Sequence, residues 1–594
     1  MGRSELSFEI TPAAVRDQLS KIIASDVFSD SPRMARFLRF TVEEALRGNA
    51  AQLKETVIGT QVFDRASSYD PRLDPIVRVE ARRLRAKLQT YYEGIGKQDS
   101  LVLEFPKGGY APVFRRRTGA ERDIGENAEN GNTTIAVLPF ANLDPGAGTE
   151  FLSDGLTEDL INALTRVPQL QIVAWNSVAQ LKGQDDELEA IRQRLSVAYV
   201  IRGSIRQSKD RVRICAYLID TVKRHYVWSE VYNRTLHDIF KIQEEIAASI
   251  QNALQLKFAQ AVSLRASGRP QDVQSYQLCL KGRFHARERT AEGLQRSLVC
   301  FEQAIAADPE SSAAHAGLAD AHTLLAEYGF ADGPTSMEKA KAAVQRALEL
   351  DPTSAEALAS FGFILTIHNW AWEEARDAFE RSLELNPGYA SAYHWYGIDH
   401  LAMLGRFDEA ERKQEIAIKL DPLSPIMMEG RGYLRLLLRE YDEAIRVYSG
   451  TVASDPSFYK SYTSMGRIYV QKGMYAKAVE LLHKGLTMAG EVPSIFGALG
   501  QAYGLSGQRS EANRILTRLT EMAESRAVPC TCFALVHLGL GEMDAALTWL
   551  ERGVQRHEAS VITLKVHPAY DSLRGEPRFE ALLTAIGFDR AILP

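Results

Sequence analysis

A proline recurs through the second half of this chain at an almost constant interval. Asp308-Pro309, Asp351-Pro352, Asn386-Pro387, Asp421-Pro422 and Asp455-Pro456 are separated by 43, 35, 35 and 34 residues, the first gap stretched by an insertion near 329–336. Each pair closes a helical stretch such as Ala417-Ile418-Lys419-Leu420. Proline cannot continue that helix, and it pushes the residue before it out of the helical region. A second signature sits inside the period. Gly405-Arg406-Phe407-Asp408-Glu409-Ala410, Glu440-Tyr441-Asp442-Glu443-Ala444 and Gly473-Met474-Tyr475-Ala476-Lys477-Ala478 set an aromatic anchor after a turn, then a small alanine where two helices approach. Gly541-Glu542-Met543-Asp544-Ala545-Ala546 repeats the pattern late. A fixed period of this size predicts stacked helix pairs, because each unit can bury its apolar face only against its neighbours.

These features resemble tetratricopeptide repeats. The resemblance implies helix-turn-helix units of about 34 residues, stacked into an all-α superhelix that takes a protein or peptide partner. About eight such units fit between 275 and 558. A closing segment from His567-Pro568 to Gly587 caps a repeat region that runs over 275–594. Tyr393, Trp395, Tyr396, Tyr462 and Tyr469 fall at helical spacings, as core between helices or as the wall of a ligand groove.

The first hundred residues read differently. Val15, Leu19, Ile22 and Ile23, then Phe37, Leu38, Phe40, Val42 and Leu46, recur at helical period. Ser31-Pro32 supplies a cap and a first-turn proline for the second helix, and Gly48 ends it. A third short helix follows over Leu53–Phe63. Wound at 100° per residue, Val77, Ala81, Leu84 and Leu88 form a narrow apolar stripe. Arg78, Arg82 and Arg85 line one flank, and Val79, Arg82, Arg83 and Ala86 lie opposite the stripe. A helix anchored on one face and offering guanidiniums on the other suits a DNA major groove, since guanidinium grips phosphate or pairs bidentately with guanine. Leu101–Phe105 and Ala111–Phe114 read as strands around the turn Pro106-Lys107-Gly108-Gly109-Tyr110. A hairpin behind such a helix predicts a winged helix.

Charge distribution bears on the same point. The whole chain carries a net charge of -6, with 45% hydrophobic and 25% charged residues, which excludes a basic coat protein or a disordered chain. Residues 75–117, however, hold 10 Lys or Arg against 4 acids. A local excess of this kind is the footprint of a nucleic-acid binder. The bland alternative is a solvated helix whose arginines pair with glutamates.

Val77 to Leu88 resembles the recognition helix of OmpR-type transcriptional regulators, V-D-V-H-I-R-R-L-R-K-K-L. Val77, Val79, Arg82, Arg83, Leu84, Arg85, Lys87 and Leu88 match it, while Arg78 replaces the usual acid and Ala81 the larger aliphatic. Lys107-Gly108-Gly109-Tyr110 resembles that family's wing, R-G-x-G-Y, with one residue fewer. The resemblance implies a winged helix-turn-helix head over 1–117 that holds double-stranded DNA through Arg78, Arg82, Arg83, Arg85, Lys87, Lys107 and Tyr110. It also implies a homodimer, from the two-half-site habit of such readers.

Polar stretches at 118–132 and 259–274 read as linkers. Between them, residues 133–258 alternate elements in the manner of an α/β sandwich. Strands are expected at Thr134–Phe140, Gln171–Ala174, 198–206, 211–220 and Val227–Glu230. Helices are expected at Phe151–Leu164, Leu188–Leu195 and Ile239–Leu254. Ile135–Phe140, Gly155–Leu160, Gly203-Ser204 and Trp228-Ser229-Glu230 resemble the TolB amino-terminal-like domain of bacterial regulators and some adenylate cyclases. The chain is thus expected to be multidomain, with a DNA-binding head and a signal-transmitting remainder.

No enzyme fingerprint accompanies this layout. Asp154, Glu158, Asp159 and Glu230 are acids that could cluster. The simpler expectation makes Asp154 a helix cap, with Glu158 and Asp159 in the first turn. Pro145-Gly146-Ala147-Gly148 lacks the Lys-Ser/Thr of a phosphate loop. His394 and His400 have no metal-spaced partner. No catalytic, cofactor or metal site is expected. The five cysteines suit a reducing cytoplasm. Met1–Leu6 has no signal-peptide core, and no apolar run reaches membrane-spanning length. The expected function is transcriptional regulation from the cytoplasm. The alternatives are an interaction scaffold whose winged helix does not bind DNA, and a cyclase-related signalling protein.

Overall fold

The computed structural model describes residues 11–29, 31–66, 69, 74, 76–93, 95–96, 99, 101–105, 109–116, 133–143, 150–167, 170–183, 188–208, 211–235, 239–254, 272–288 and 290–588. Most of the two expected linkers, and the glycine-rich 145–148, lie outside them. The chain divides into two compact units, Met1–Asn132 and Thr133–Pro594.

The first unit builds α1 (Pro12–Ala24), α2 (Asp26–Ser29), α3 (Pro32–Leu46), α4 (Glu55–Gln61) and α5 (Ile76–Glu93). Antiparallel strands β1 (Leu101–Glu104) and β2 (Val113–Arg116) follow, with Leu101 opposite Arg116 and Glu104 opposite Val113. Thr11 caps α1 by accepting the N–H of Ala14 at 3.3 Å. Ser31 stands at the start of α3 without a side-chain cap bond. Gly48 takes φ +83° just past the end of α3, where a side chain would be strained. Phe37 of α3 anchors the core, edge-on to Phe63 at 5.3 Å and to Phe105 at 5.5 Å. Val77, Ala81, Leu84 and Leu88 of α5 are buried in the same cluster, so the apolar stripe faces inward as read. Each fully buried side chain of this size contributes about 1.5–3 kcal/mol.

The second unit opens with a sheet in the order β5-β3-β6-β7-β8, with β4 beside β6. Its strands are β3 (Thr133–Val137), β4 (Ala141–Asn142), β5 (Leu170–Ile172), β6 (Tyr199–Ser208), β7 (Arg211–Asp220) and β8 (His225–Thr235). The β3 strand runs parallel to β5 and β6, while β6, β7 and β8 form an antiparallel meander. Helices α6 (Glu150–Thr165), α7 (Trp175–Ala179), α8 (Leu188–Leu195) and α9 (Ile239–Ala253) accompany it. Strand β8, His225–Thr235, is longer than the Val227–Glu230 expected, and its extension carries Tyr232 into the core.

The acids of α6 correct the sequence expectation. The helix starts at Glu150, so Asp154 is interior, not a cap. It is buried and accepts Lys182 Nζ at 2.8 and 2.9 Å. Glu158 and Asp159 lie a further turn along and pair with the first repeat helix. Arg283 Nη1 stands 3.2 Å from Glu158 and its Nη2 2.9 Å from Asp159. Tyr276 donates its hydroxyl to Asp159 at 2.6 Å, and Arg287 donates to Glu158. Glu230 is not part of this group; it accepts from Tyr232 at 2.9 Å and from Ser249 at 3.3 Å.

An all-helical superhelix occupies 273–555, in antiparallel pairs from Val273–Ala286 to Met543–Gln555. Asp421, one of the recurrent acids before proline, is buried. It accepts Ser177 Oγ at 2.5 Å and Asn176 Nδ2 at 3.0 Å, which seats α7 on a repeat corner. Gly388 lies so close to Thr165 that a Cβ there would fall 2.7 Å from the threonine. Tyr396, Tyr462 and Tyr469 are buried between helices, and Tyr396 stacks on Phe379 at 5.3 Å. Tyr393 and Trp395 are half-buried. His394 and His400 are core residues, bonded to Gln414 at 3.0 Å and Thr366 at 3.1 Å.

The superhelix curls until distant repeats meet. Lys460 lies 3.8 Å from Glu327 and 5.0 Å over the Tyr328 ring, and Arg556 stands 4.0 Å from Asp332. Short 3-10 turns at Ala559–Thr563 and Pro568–Leu573 lead to a last helix, Pro577–Ile586. Trp372 donates its indole N–H to Ile586 O at 3.0 Å, and Phe588 packs 5.2 Å from the Trp372 ring.

Candidate nucleic-acid interface

Helix α5 presents the candidate residues because its apolar stripe leaves a polar surface outward. Arg82 and Arg83 are exposed on that surface beside Val79, which is 44% exposed. Arg82 has no side-chain partner among the described residues. Arg83 reaches Glu80 one turn back at 2.9 Å, its own side chain exposed and that of Glu80 largely covered. These two guanidiniums are the most available charges on the helix.

The other candidates are held more firmly. Arg78 Nε donates to Glu55 of α4 at 2.9 and 3.1 Å. Tyr110, between the strands, donates its hydroxyl to the same carboxylate at 2.8 Å. The Arg78 hydrogen bond, assisted by that of Tyr110, holds the Glu55 carboxyl below the usual carboxylate range. Partial burial, then the carboxylate itself, push the Tyr110 hydroxyl up to about 12. Arg85 turns toward the hairpin, where Nε donates to Phe105 O at 3.0 Å and Nη2 to Gly109 O at 3.1 Å, with the guanidinium 5.6 Å over the Phe105 ring. Lys87 turns toward α2, donating to Val27 O at 2.5 Å above the Phe28 ring. Lys107 lies outside the described residues.

The structure therefore separates a set that the sequence grouped. Arg82 and Arg83 face outward, Arg78 and Tyr110 share an acid, and Arg85 and Lys87 hold neighbouring backbone. Glu55 escaped the sequence reading because it lies 23 residues before Arg78, with no periodicity to link them. Among the described residues, no three His, Cys, Asp or Glu side chains gather as metal ligands. No helix among them is long and apolar enough to cross a membrane.

Comparison with known proteins adds a regional identification. The profile of the HilA/YgeH-like transcriptional regulator second domain matches residues 131–249. Tetratricopeptide profiles match 397–457 and 459–491. The chain carries a HilA/YgeH-like regulator domain and tetratricopeptide repeats. Transcriptional regulator HilA of Salmonella typhimurium is 25% identical over 329 residues, covering 53% of this chain and 55% of that protein. Putative adenylate cyclase 3 of Rhizobium meliloti is 34% identical over 186 residues, covering 31% of this chain and 32% of that protein. The chain thus spans about a third to about half of these relatives. Among solved structures, the human IFIT1 dimer with m7Gppp-AAAA is 16% identical, with a TM-score of 0.38, covering 53% of this chain and 77% of that one. The regional match shows a regulator domain in the sheet region and does not confirm the finer TolB resemblance.

Proposed function

We propose that the chain is a DNA-binding transcriptional regulator whose head is a winged helix-turn-helix over 1–117. The observation that carries this reading is helix α5, anchored by Val77, Ala81, Leu84 and Leu88 while Arg82, without a side-chain partner among the described residues, and Arg83, paired with Glu80, lie exposed on its outer surface. Such a helix enters a major groove with its guanidiniums toward bases or phosphates. Arg78 follows if phosphate displaces Glu55. Arg85 and Lys87 act as supports that fix the hairpin and the helix. The regulator likeness over 131–249, and over about half of HilA, supports the same class. The repeats take a protein or peptide partner, and the head works as a dimer on two half-sites. The sheet region over 133–258 and the repeats over 275–594 relay partner binding to the head from the cytoplasm.

The test is duplex binding by the full chain at several salt concentrations. Arg82→Ala with Arg83→Ala abolishes salt-sensitive binding while leaving the fold intact. Binding equal to the parent overturns the reading and favours the scaffold. The likeness to a protein named as an adenylate cyclase supplies the second reading. It is tested by incubating the chain with nucleoside triphosphates: formation of a cyclic product establishes catalysis, and its absence leaves regulation.

A further inference from the structure

Strands β6, β7 and β8 bury one face, while the other is covered at Val200 near the start of β6 and opens toward Arg206, Arg211 and Arg213. Val212, Ile214, Ala216 and Leu218 of β7 join the core with Leu156 and Leu160 of α6 and Ile246 and Ile250 of α9. Directly paired residues share a face, and faces alternate along a strand. The register therefore puts Arg206, Arg213 and Asn233 in one row across the opposite face, with Arg211 beside Thr235 in the next. Arg206, Arg211 and Arg213 are exposed, and none has a side-chain partner among the described residues. Farther along the same face, Tyr217 and Tyr226 approach at 5.8 Å with a 59° tilt, and Tyr226 is 68% exposed.

The acids of these strands are absent from that face. Asp220 is buried on the other side, where it accepts the N–H groups of Val222 and Lys223 at 2.9 and 2.7 Å. Glu230 pairs across from Ala216, also on the other side. Three guanidiniums without a partner among the described residues, the exposed Tyr226 and the half-buried Tyr217 thus share one surface of the sheet.

We infer that this face binds single-stranded nucleic acid, with the arginines on phosphates and the tyrosines stacked on bases. Residues two apart on a strand lie about 7 Å apart, so Arg211 and Arg213 can follow neighbouring phosphates of an extended chain. The tyrosines decide between strand forms. A duplex stacks its bases on one another and offers a ring nothing, whereas each base of a single strand presents a free face. The site is separate from helix α5 and does not depend on the reading of the head.

The experiment uses the full chain carrying Arg82→Ala and Arg83→Ala, so that the head is silent, and a fluorescent 20-nucleotide oligothymidylate. Binding is expected, with a log–log salt slope near about -2 for three phosphate contacts. Arg211→Ala with Arg213→Ala, and separately Tyr226→Ala, each weaken it by about tenfold or more. Failure of the oligonucleotide to bind at low salt overturns the inference. So does binding that survives both sheet variants. Equal, sheet-dependent binding of polyglutamate overturns it as well, since the face then reads negative charge alone.

Discussion

Glu55 Oε1 accepts from both Arg78 Nε at 2.9 Å and the Tyr110 hydroxyl at 2.8 Å. One carboxylate therefore fastens the start of α5 to the segment between β1 and β2, and it also cancels positive charge where the proposed duplex would lie. Glu55→Gln should tighten duplex binding roughly fivefold at low salt, the worth of about 1 kcal/mol between exposed charges. The same variant should loosen the hairpin. Fluorescence anisotropy against salt checks the first effect; an unchanged or weaker affinity would show that Glu55 positions more than it opposes.

Arg85 and Arg82 sit on one helix but have different tasks. Arg85→Ala removes two charge-assisted bonds to backbone carbonyls and should cost about 2 kcal/mol of head stability. Hydrogen exchange over 101–105 and 109–116 should accelerate. Arg82→Ala should leave stability within about 0.5 kcal/mol and change only binding. Equal effects on exchange would contradict the division.

Removing Arg283 leaves Glu158 and Asp159 half-buried without their shared cation. Arg283→Ala should destabilise the second unit by about 3 kcal/mol and speed exchange in α6 (Glu150–Thr165). Adding Glu158→Gln and Asp159→Asn should recover most of the loss. Chemical denaturation of the three proteins is the measurement, and a triple variant as weak as the single one would refute the pairing.

Burial holds the imidazoles of His394 at about 4 and His400 at about 3, below the ordinary value of 6.5. The unfolded chain therefore takes up protons before the folded one. Their contribution is fully present above pH 6.5 and is lost as the pH falls toward 4, by about 3 kcal/mol for each histidine. Denaturation at pH 7 and pH 4.5 should reveal the fall, and His400→Asn should reduce it. An unaltered pH dependence would exclude the mechanism.

The repeats were plain in the sequence because local chemistry writes them: proline stops a helix, and an aromatic and an alanine mark each close approach. The inward stripe of α5 was equally plain, since Val77, Ala81, Leu84 and Leu88 keep helical period. What stayed hidden depends on pairs far apart in the chain. Glu158 and Asp159 looked like first-turn acids because Asp154 was read as the cap, whereas the helix begins at Glu150, and their partner Arg283 is 124 residues beyond Asp159. Arg85 and Lys87 looked like groove contacts because they match the resembling motif. Only the folded hairpin and Val27 reveal the carbonyls that claim them.

Stacked repeats are ordinarily open-ended, so a gene can gain or lose a unit and still encode a folded array. Here Glu327 and Asp332 meet Lys460 and Arg556, and Trp372 grips the carbonyl of Ile586. Inserting one 34-residue unit between them would carry every one of these partners out of reach. The number of repeats is accordingly tied to this closure, and lengthening the array between these partners would forfeit it.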